Sequence, residues 1–244
     1  MWLPLLLLLS LLCPCTQQPI PPHCPDKCGK VSVPYPFGIG NVKCARDDKF
    51  LLHCNNGQPW LLDSIPHEGK KILPFSGGID LRDSPFMFNT RNQFVLLGCN
   101  IAALITEDQE YRRGCYSFCD GPGQQVESSC SGIGCCQFSI DNQLDHLNPT
   151  VFRMNDSPLP NDKFCLNAFL TTKSAFNIAG ANLSALPNYL EPSEVILDWV
   201  AGNETCQAAR NCSGTYACGE NTDCLDSTNG PGYRCYCKLV NWLR

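Results

Sequence analysis

Cysteine constrains this chain more than any other feature: nineteen of its 244 residues are Cys, spread through nearly its whole length. In an oxidising compartment, cysteines at that density staple small units whose apolar cores are too thin to hold alone. The style is set by Cys24-Pro25-Asp26-Lys27-Cys28-Gly29-Lys30-Val31-Ser32-Val33-Pro34-Tyr35-Pro36-Phe37-Gly38-Ile39-Gly40. Two close cysteines, a Val-Ser-Val alternation, then prolines and glycines spell a short cross-linked strand ending in rigid turns.

The first residues say where oxidation would take place. Leu3 to Leu12 is apolar apart from Pro4 and Ser10, and the small residues Cys13 and Cys15 follow it, the pattern of a secretory signal over residues 1–15. A membrane anchor needs ~20 apolar residues, and the longest later run, Phe94 to Ile105, is broken by Gly98 and Asn100. The expectation is a secreted, extracellular chain with no membrane span of its own. Glycosylation sequons at Asn182, Asn203 and Asn211 agree with secretion, and a fourth, at Asn155, is disfavoured by the nearby Pro158.

Charge is uneven along the sequence. Residues 16–120 carry 11 Lys+Arg against 11 Asp+Glu, whereas residues 121–244 carry 7 against 12, which accounts for the net charge of -5. An acidic chain is no general nucleic-acid binder. A polyanion would have to be met by a local basic patch in the first half.

Apolar runs at Val31–Tyr35, Phe50–Cys54, Trp60–Ile65, Lys71–Phe75, Ile79–Arg82 and Phe94–Leu97 are each closed by turn formers and too short for helices. Without helical crossovers between them, they predict antiparallel pairing. Tyr111–Gln137 holds five cysteines and few large apolar groups, so cross-links are expected to hold it. Its adjacent Cys135 and Cys136 are read as two structural bridges leaving in different directions, because a vicinal disulfide is strained. Further on, Phe164–Leu170 and Val195–Val200 read as strands of a second small sheet around Cys165, and Ser174–Leu186 as a short helix or loop. The expected fold is mainly β and disulfide-rich, two small antiparallel β units over residues 24–137 and 138–205, followed by a last module over 206–244.

That last module resembles an epidermal-growth-factor-like domain in its spacing Cys212-x5-Cys218-x5-Cys224-x10-Cys235-x-Cys237 and its closing Gly232-Tyr233-Arg234-Cys235-Tyr236-Cys237. The resemblance implies six cysteines paired first to third, second to fourth and fifth to sixth, of which the sixth is missing here. Either Cys212 or Cys206 can serve as the first. Without Cys13 and Cys15, seventeen cysteines remain. One is therefore left over, most simply Cys237, and the sequence reads as a chain stopped partway through an incomplete module.

The ordered blocks resemble the extracellular region of plant wall-associated receptor kinases. They are Cys28-Gly29 with Val33-Pro34-Tyr35-Pro36-Phe37-Gly38-Ile39-Gly40, then Leu97-Gly98-Cys99-Asn100, Gly114-Cys115-Tyr116-Ser117-Phe118-Cys119 and Cys130-Ser131-Gly132-Ile133-Gly134-Cys135-Cys136-Gln137. The resemblance covers Cys24 to Cys237. It implies a pectin-binding ectodomain followed, in the family, by growth-factor-like modules, a membrane span and a cytoplasmic kinase. The sequence departs from the family after Cys237, and no glycine-rich ATP loop or kinase catalytic-loop motif occurs in it, so kinase activity is not carried over.

A galacturonan carries a carboxylate on each unesterified sugar, and Lys, Arg and aromatic faces are the groups that recognise it. Lys27, Lys30, Lys43, Arg46 and Lys49 outnumber Asp26, Asp47 and Asp48 between residues 24 and 49, a local charge of +2. Lys70-Lys71 and Arg112-Arg113 add two pairs, and Tyr35 and Trp60 are candidate ring platforms. A two-carboxylate hydrolase finds no nominated acid pair, and no Gly-x-Ser-x-Gly elbow occurs. His23 and His53 lie near cysteines, but oxidised cysteines do not ligate zinc, so neither a metal nor another cofactor is expected. The alternative is a secreted decoy that binds a protein partner or forms a disulfide-linked dimer through Cys237.

Overall fold

Prolines and glycines every few residues keep the strands of this chain short, and disulfides supplement their side-chain packing. The computed structural model describes residues 23–61, 79–107, 110–119, 129–154, 167–174, 195–211, 216–218 and 222–237. The chain divides into two units, Met1–Leu62 with Val200–Arg244, and Asp63–Trp199.

In the first unit, β1 (Lys27–Cys28) and β2 (Val31–Ser32) make a hairpin with Lys27 opposite Ser32 and Cys28 opposite Val31. The expected strand to Tyr35 stops at Ser32, because Pro34 and Pro36 have no N–H to offer a ladder. The chain turns instead, through a cis Tyr35–Pro36 peptide, into β3 (Gly38–Ile39). β3 runs parallel to β4 (Leu51–Asn55), an exception to the antiparallel expectation, and β4 pairs antiparallel with β5 (Gln58–Leu61). Two 3-10 turns, Val42–Cys44 and Asp48–Phe50, join β3 to β4. Each is opened by a short side chain: Asn41 Oδ1 accepts from the Lys43 N–H at 2.9 Å, and Asp47 Oδ1 from the Lys49 N–H at 3.0 Å. Cys28, Val33 and Ile39 form a small core with Phe37, Leu52 and Cys54 against it. So small a core needs staples, and Cys24–Cys44 and Cys28–Cys54 supply them.

The second unit holds β6 (Ile79–Asp80), β7 (Phe86–Phe88), β8 (Asn92–Leu97), β9 (Ile101–Glu107), β10 (Glu110–Ser117), β11 (Cys135–Ser139), β12 (His146–Arg153), β13 (Asn167–Thr172) and β14 (Leu197–Trp199). They pair in the orders β10-β9-β12-β6, β11-β8-β13 and β14-β7. β8 is buried along its whole length, with Phe94, Val95, Leu96 and Leu97 at its centre. On β9, Ile101, Ala103 and Ile105 turn inward.

Two expectations are corrected here. The cysteine-rich segment is partly regular, since β10 and β11 lie within it, and three bridges, Cys99–Cys119, Cys115–Cys136 and Cys130–Cys135, reinforce the strands. Adjacent Cys135 and Cys136 do leave in different directions. The strands expected to close a separate second sheet do not: β13 joins β8 and β14 joins β7, because buried Phe169 and Leu170 fit the apolar ladder β8 already offers.

In the remainder of the first unit, α1 (Cys206–Asn211) precedes a hairpin of β15 (Thr222–Asp226) and β16 (Tyr233–Cys237). Bridges Cys206–Cys224 and Cys218–Cys235 make Cys206 the first cysteine of this module, deciding between the two assignments the spacing allows. Tyr233 is fully buried beneath it. Among the described residues no helix is long and apolar enough to cross a membrane. The signal over residues 1–15, the run Lys71–Phe75, all of the run Ser174–Leu186 after Ser174, and Cys165 lie outside the described residues.

Candidate functional site

Strand alternation decides which side chains near the N-terminus are presented to solvent. In the first hairpin Cys28 points into the core while Lys27, Lys30, Val31 and Ser32 are exposed. In the second hairpin His53 stands opposite Trp60, and Asn55 opposite Gln58, all four exposed. One face of β4 and β5 therefore carries an imidazole, an indole and two carboxamides, with Trp60 49% exposed.

The two hairpins meet at their turns. A Cβ on Gly29 would lie 2.5 Å from the Gly57 carbonyl oxygen, and the Cys28–Cys54 bridge ties the strands behind those turns. The turn bearing Lys30 is thereby held against the turn that ends the His53–Trp60 pairing. Cys24–Cys44 fastens the exposed Lys43 turn to the segment leading into β1. Behind it, a Cβ on Gly38 would clash with the Cys44 carbonyl group, so only glycine lets β3 approach that turn.

Arg46 and Tyr35 are placed differently. The Arg46 N–H donates to the Pro36 carbonyl at 3.0 Å, its side chain is mostly buried, and its Nε lies 3.8 Å from an Asp47 carboxylate oxygen. Its Nη1 is buried without a hydrogen-bond partner. Tyr35 is partly buried, and that burial pushes its pKa up while the Arg46 guanidinium pulls it back. Lys49 is exposed at the end of the second 3-10 turn.

Arg113 belongs to the second unit, where its Nη2 donates to Asp141 at 2.5 Å and its Nη1 to the Ser139 carbonyl at 3.2 Å. With Ile105, Phe138 and Leu144 it lines a cavity of about 220 Å³. Its charge is answered within the protein. The backbone of Arg112 lies in β10; its side chain, like Lys70, Lys71 and the Cys237 side chain, lies outside the described residues. Of the sequons, Asn203 and Asn211 are exposed and Asn155 and Asn182 lie outside the described residues. Among the described residues no group of three or more His, Cys, Asp or Glu is placed to hold a metal ion.

The structure thus brings Lys27, Lys30, Lys43 and Trp60 to one cross-linked assembly and sets Arg113 apart in the other unit. Sequence reasoning overlooked His53, Asn55 and Gln58 as surface partners of Trp60. The signal was available: His53-x-Asn55 and Gln58-x-Trp60 are period-2 polar faces on either side of the Asn56-Gly57 turn. Chemically, the assembly offers ammonium groups for carboxylates, an indole face for a sugar ring and carboxamides for hydroxyls.

The wall-associated receptor kinase galacturonan-binding family matches residues 24–77, which include β1 to β5 and every candidate ligand residue except Arg112 and Arg113. Over 88% of its length the chain is 33% identical to wall-associated receptor kinase 5 of Arabidopsis thaliana, of which it covers 32%. It is 30% identical to wall-associated receptor kinase 3 of the same plant, covering 33% of that protein, and 30% identical to wall-associated receptor kinase 1, covering 32%. The chain spans about a third of the length of these relatives. No solved structure matches it. The chain carries a domain of the wall-associated receptor kinase galacturonan-binding type over residues 24–77 and is homologous to those kinases over 88% of its length, as the extracellular region of a protein like them.

Proposed function

We propose that this chain is a secreted, non-catalytic binder of de-esterified homogalacturonan and its oligomers, acting as a receptor-type ectodomain in the cell wall. The observation that carries the reading is a coincidence of place. The galacturonan-binding match falls on the segment in which Lys27, Lys30, Lys43 and Lys49 are in solvent and Trp60 is exposed, on strands and turns tied by two disulfides. The lysines meet sugar carboxylates as point charges, and Trp60 covers the apolar face of a ring. Arg46, its side chain mostly buried and its Nε near the Asp47 carboxylate, reaches outward less than the lysines.

The test is charge reversal. In calorimetric titration with oligogalacturonides, Lys27→Glu together with Lys30→Glu should weaken binding about tenfold or more, at about 0.5–1 kcal/mol for each screened pair lost and a repulsion added. Unchanged affinity in the folded double variant would remove this segment as the site.

A further inference from the structure

The second unit presents an uncharged aromatic platform that the polyanion reading leaves unused. On β9 the residues that face away from the buried Ile101, Ala103 and Ile105 are Ala102, Leu104 and Thr106, and strand register places a row of neighbours beside each. Ala102 lies between Tyr116 on β10 and Phe152 on β12. Leu104 lies between Gly114 and Thr150, and Thr106 pairs with Asn148. Tyr116 is 55% exposed and Phe152 42%. Phe118, two residues beyond Tyr116, packs its ring 5.0 Å from that of Tyr116, and Ile133 and Met154 extend the exposed apolar surface.

Two rings flanking an alanine across three strands make a shallow platform. The rings are separated by two interstrand steps of ~4.8 Å each. Gly114 makes room for the Leu104 side chain, which a Cβ there would meet at 2.6 Å. Past the aromatic row the same face turns polar, with the hydroxyls of Thr106 and Thr150 and the carboxamide of Asn148. No residue in these three rows is charged. The Asp80 carboxylate and the His146 imidazole, on the same face, lie beyond them at the far end of β12.

We propose that this face binds a neutral, β-1,4-linked polysaccharide chain laid across β9 from Tyr116 to Phe152. Charge selects the class: nothing here answers a carboxylate on every sugar, so the ligand of the first unit gains nothing from this surface. Ring geometry selects a glycan. The Tyr116-to-Phe152 separation approximates one disaccharide repeat of an extended β-1,4 chain, whose pyranose rings offer apolar C–H faces to aromatics, with hydroxyls directed at threonine and asparagine. The platform lies outside the segment matched as galacturonan-binding, so it does not rest on that reading.

The test is titration of the secreted, oxidised chain with cellohexaose in low and high salt. Binding should be insensitive to salt, weaken about tenfold in Tyr116→Ala and in Phe152→Ala, as loss of one aromatic contact implies, persist in Tyr116→Phe, and be untouched by Lys27→Glu with Lys30→Glu. Unchanged unfolding midpoints would show that the alanine variants are folded. Absence of heat with folded wild-type protein, or affinity retained in both alanine variants, overturns the proposal. A concentration-dependent dimer in sedimentation velocity that both alanine variants abolish and cellohexaose does not would assign the face to a second copy instead, and would also overturn it.

Discussion

Gly29 approaches Gly57 so closely that an added Cβ would lie 2.5 Å from one backbone oxygen and 2.7 Å from the Cα, and Gly29 is at a φ of +59°. Two constraints therefore coincide at one residue, a left-handed backbone and no room for a side chain. Gly40 has a φ of +80° but nothing within 4 Å of its Cβ position. Gly40→Ala should cost only the left-handed strain, about 1 kcal/mol. Gly29→Ala should cost more, about 2–3 kcal/mol, and should also lower oligogalacturonide affinity by parting the two hairpins. Chemical denaturation of both variants checks the order; equal costs would mean that the turn contact is unimportant.

Arg113 separates stability from binding. Because its guanidinium is held by Asp141 and the Ser139 carbonyl, Arg113→Ala should leave oligogalacturonide affinity within about twofold of wild type while removing an exposed pair worth about 0.5–1 kcal/mol. Calorimetry and an unfolding curve on one sample read both effects.

Asn92 shows how the second unit attaches its last strand. It is fully buried, its Nδ2 donates to the carbonyls of Asn89 and Ile196 at 2.9 and 2.7 Å, and its Oδ1 accepts from the Ile196 N–H at 2.9 Å. The side chain substitutes for a stretch of ladder between β8 and the approach to β14. Asn92→Leu strands those backbone groups, and a loss of about 2–4 kcal/mol is expected in denaturant unfolding.

Asp80 sets an acid limit of small size. The side-chain hydrogen bond from Arg82, then its backbone N–H, hold the carboxyl at about 2 against an ordinary 3.8. A depressed acid pKa stabilises above the unfolded value and loses that contribution as pH falls through the folded one. The benefit is therefore complete above about pH 4 and gone near pH 2. The pair is exposed, so Asp80→Asn should change stability at neutral pH by no more than about 0.5 kcal/mol, with the difference vanishing toward pH 2.

Local signals made the style of this fold legible: turn formers marked where β4 and β8 end, and cysteine density announced the staples. Pairing was less legible. β10 and β12 were not nominated because Gly114 with Cys115, and Pro149, interrupt their apolar patterns, and β9 was not nominated either, yet long-range neighbours pair all three. At the site, counting charges found Lys27, Lys30 and Lys43, which are exposed, but could not tell them from Arg113, whose partner Asp141 lies 28 residues away in sequence. The His53 and Asn55 face was hidden because Cys54 between them drew the reading toward metals and disulfides.

The central claim is tested most directly by titrating the folded, oxidised chain with oligogalacturonides and with their methyl-esterified counterparts, at about 0.1 M and about 1 M salt, where the screening length falls from ~10 Å to ~3 Å. An electrostatic site built on Lys27, Lys30 and Lys43 predicts binding to the acid form, lost by about tenfold or more at high salt, and little binding to the ester. Equal binding to both forms, or affinity undiminished at high salt, would contradict it.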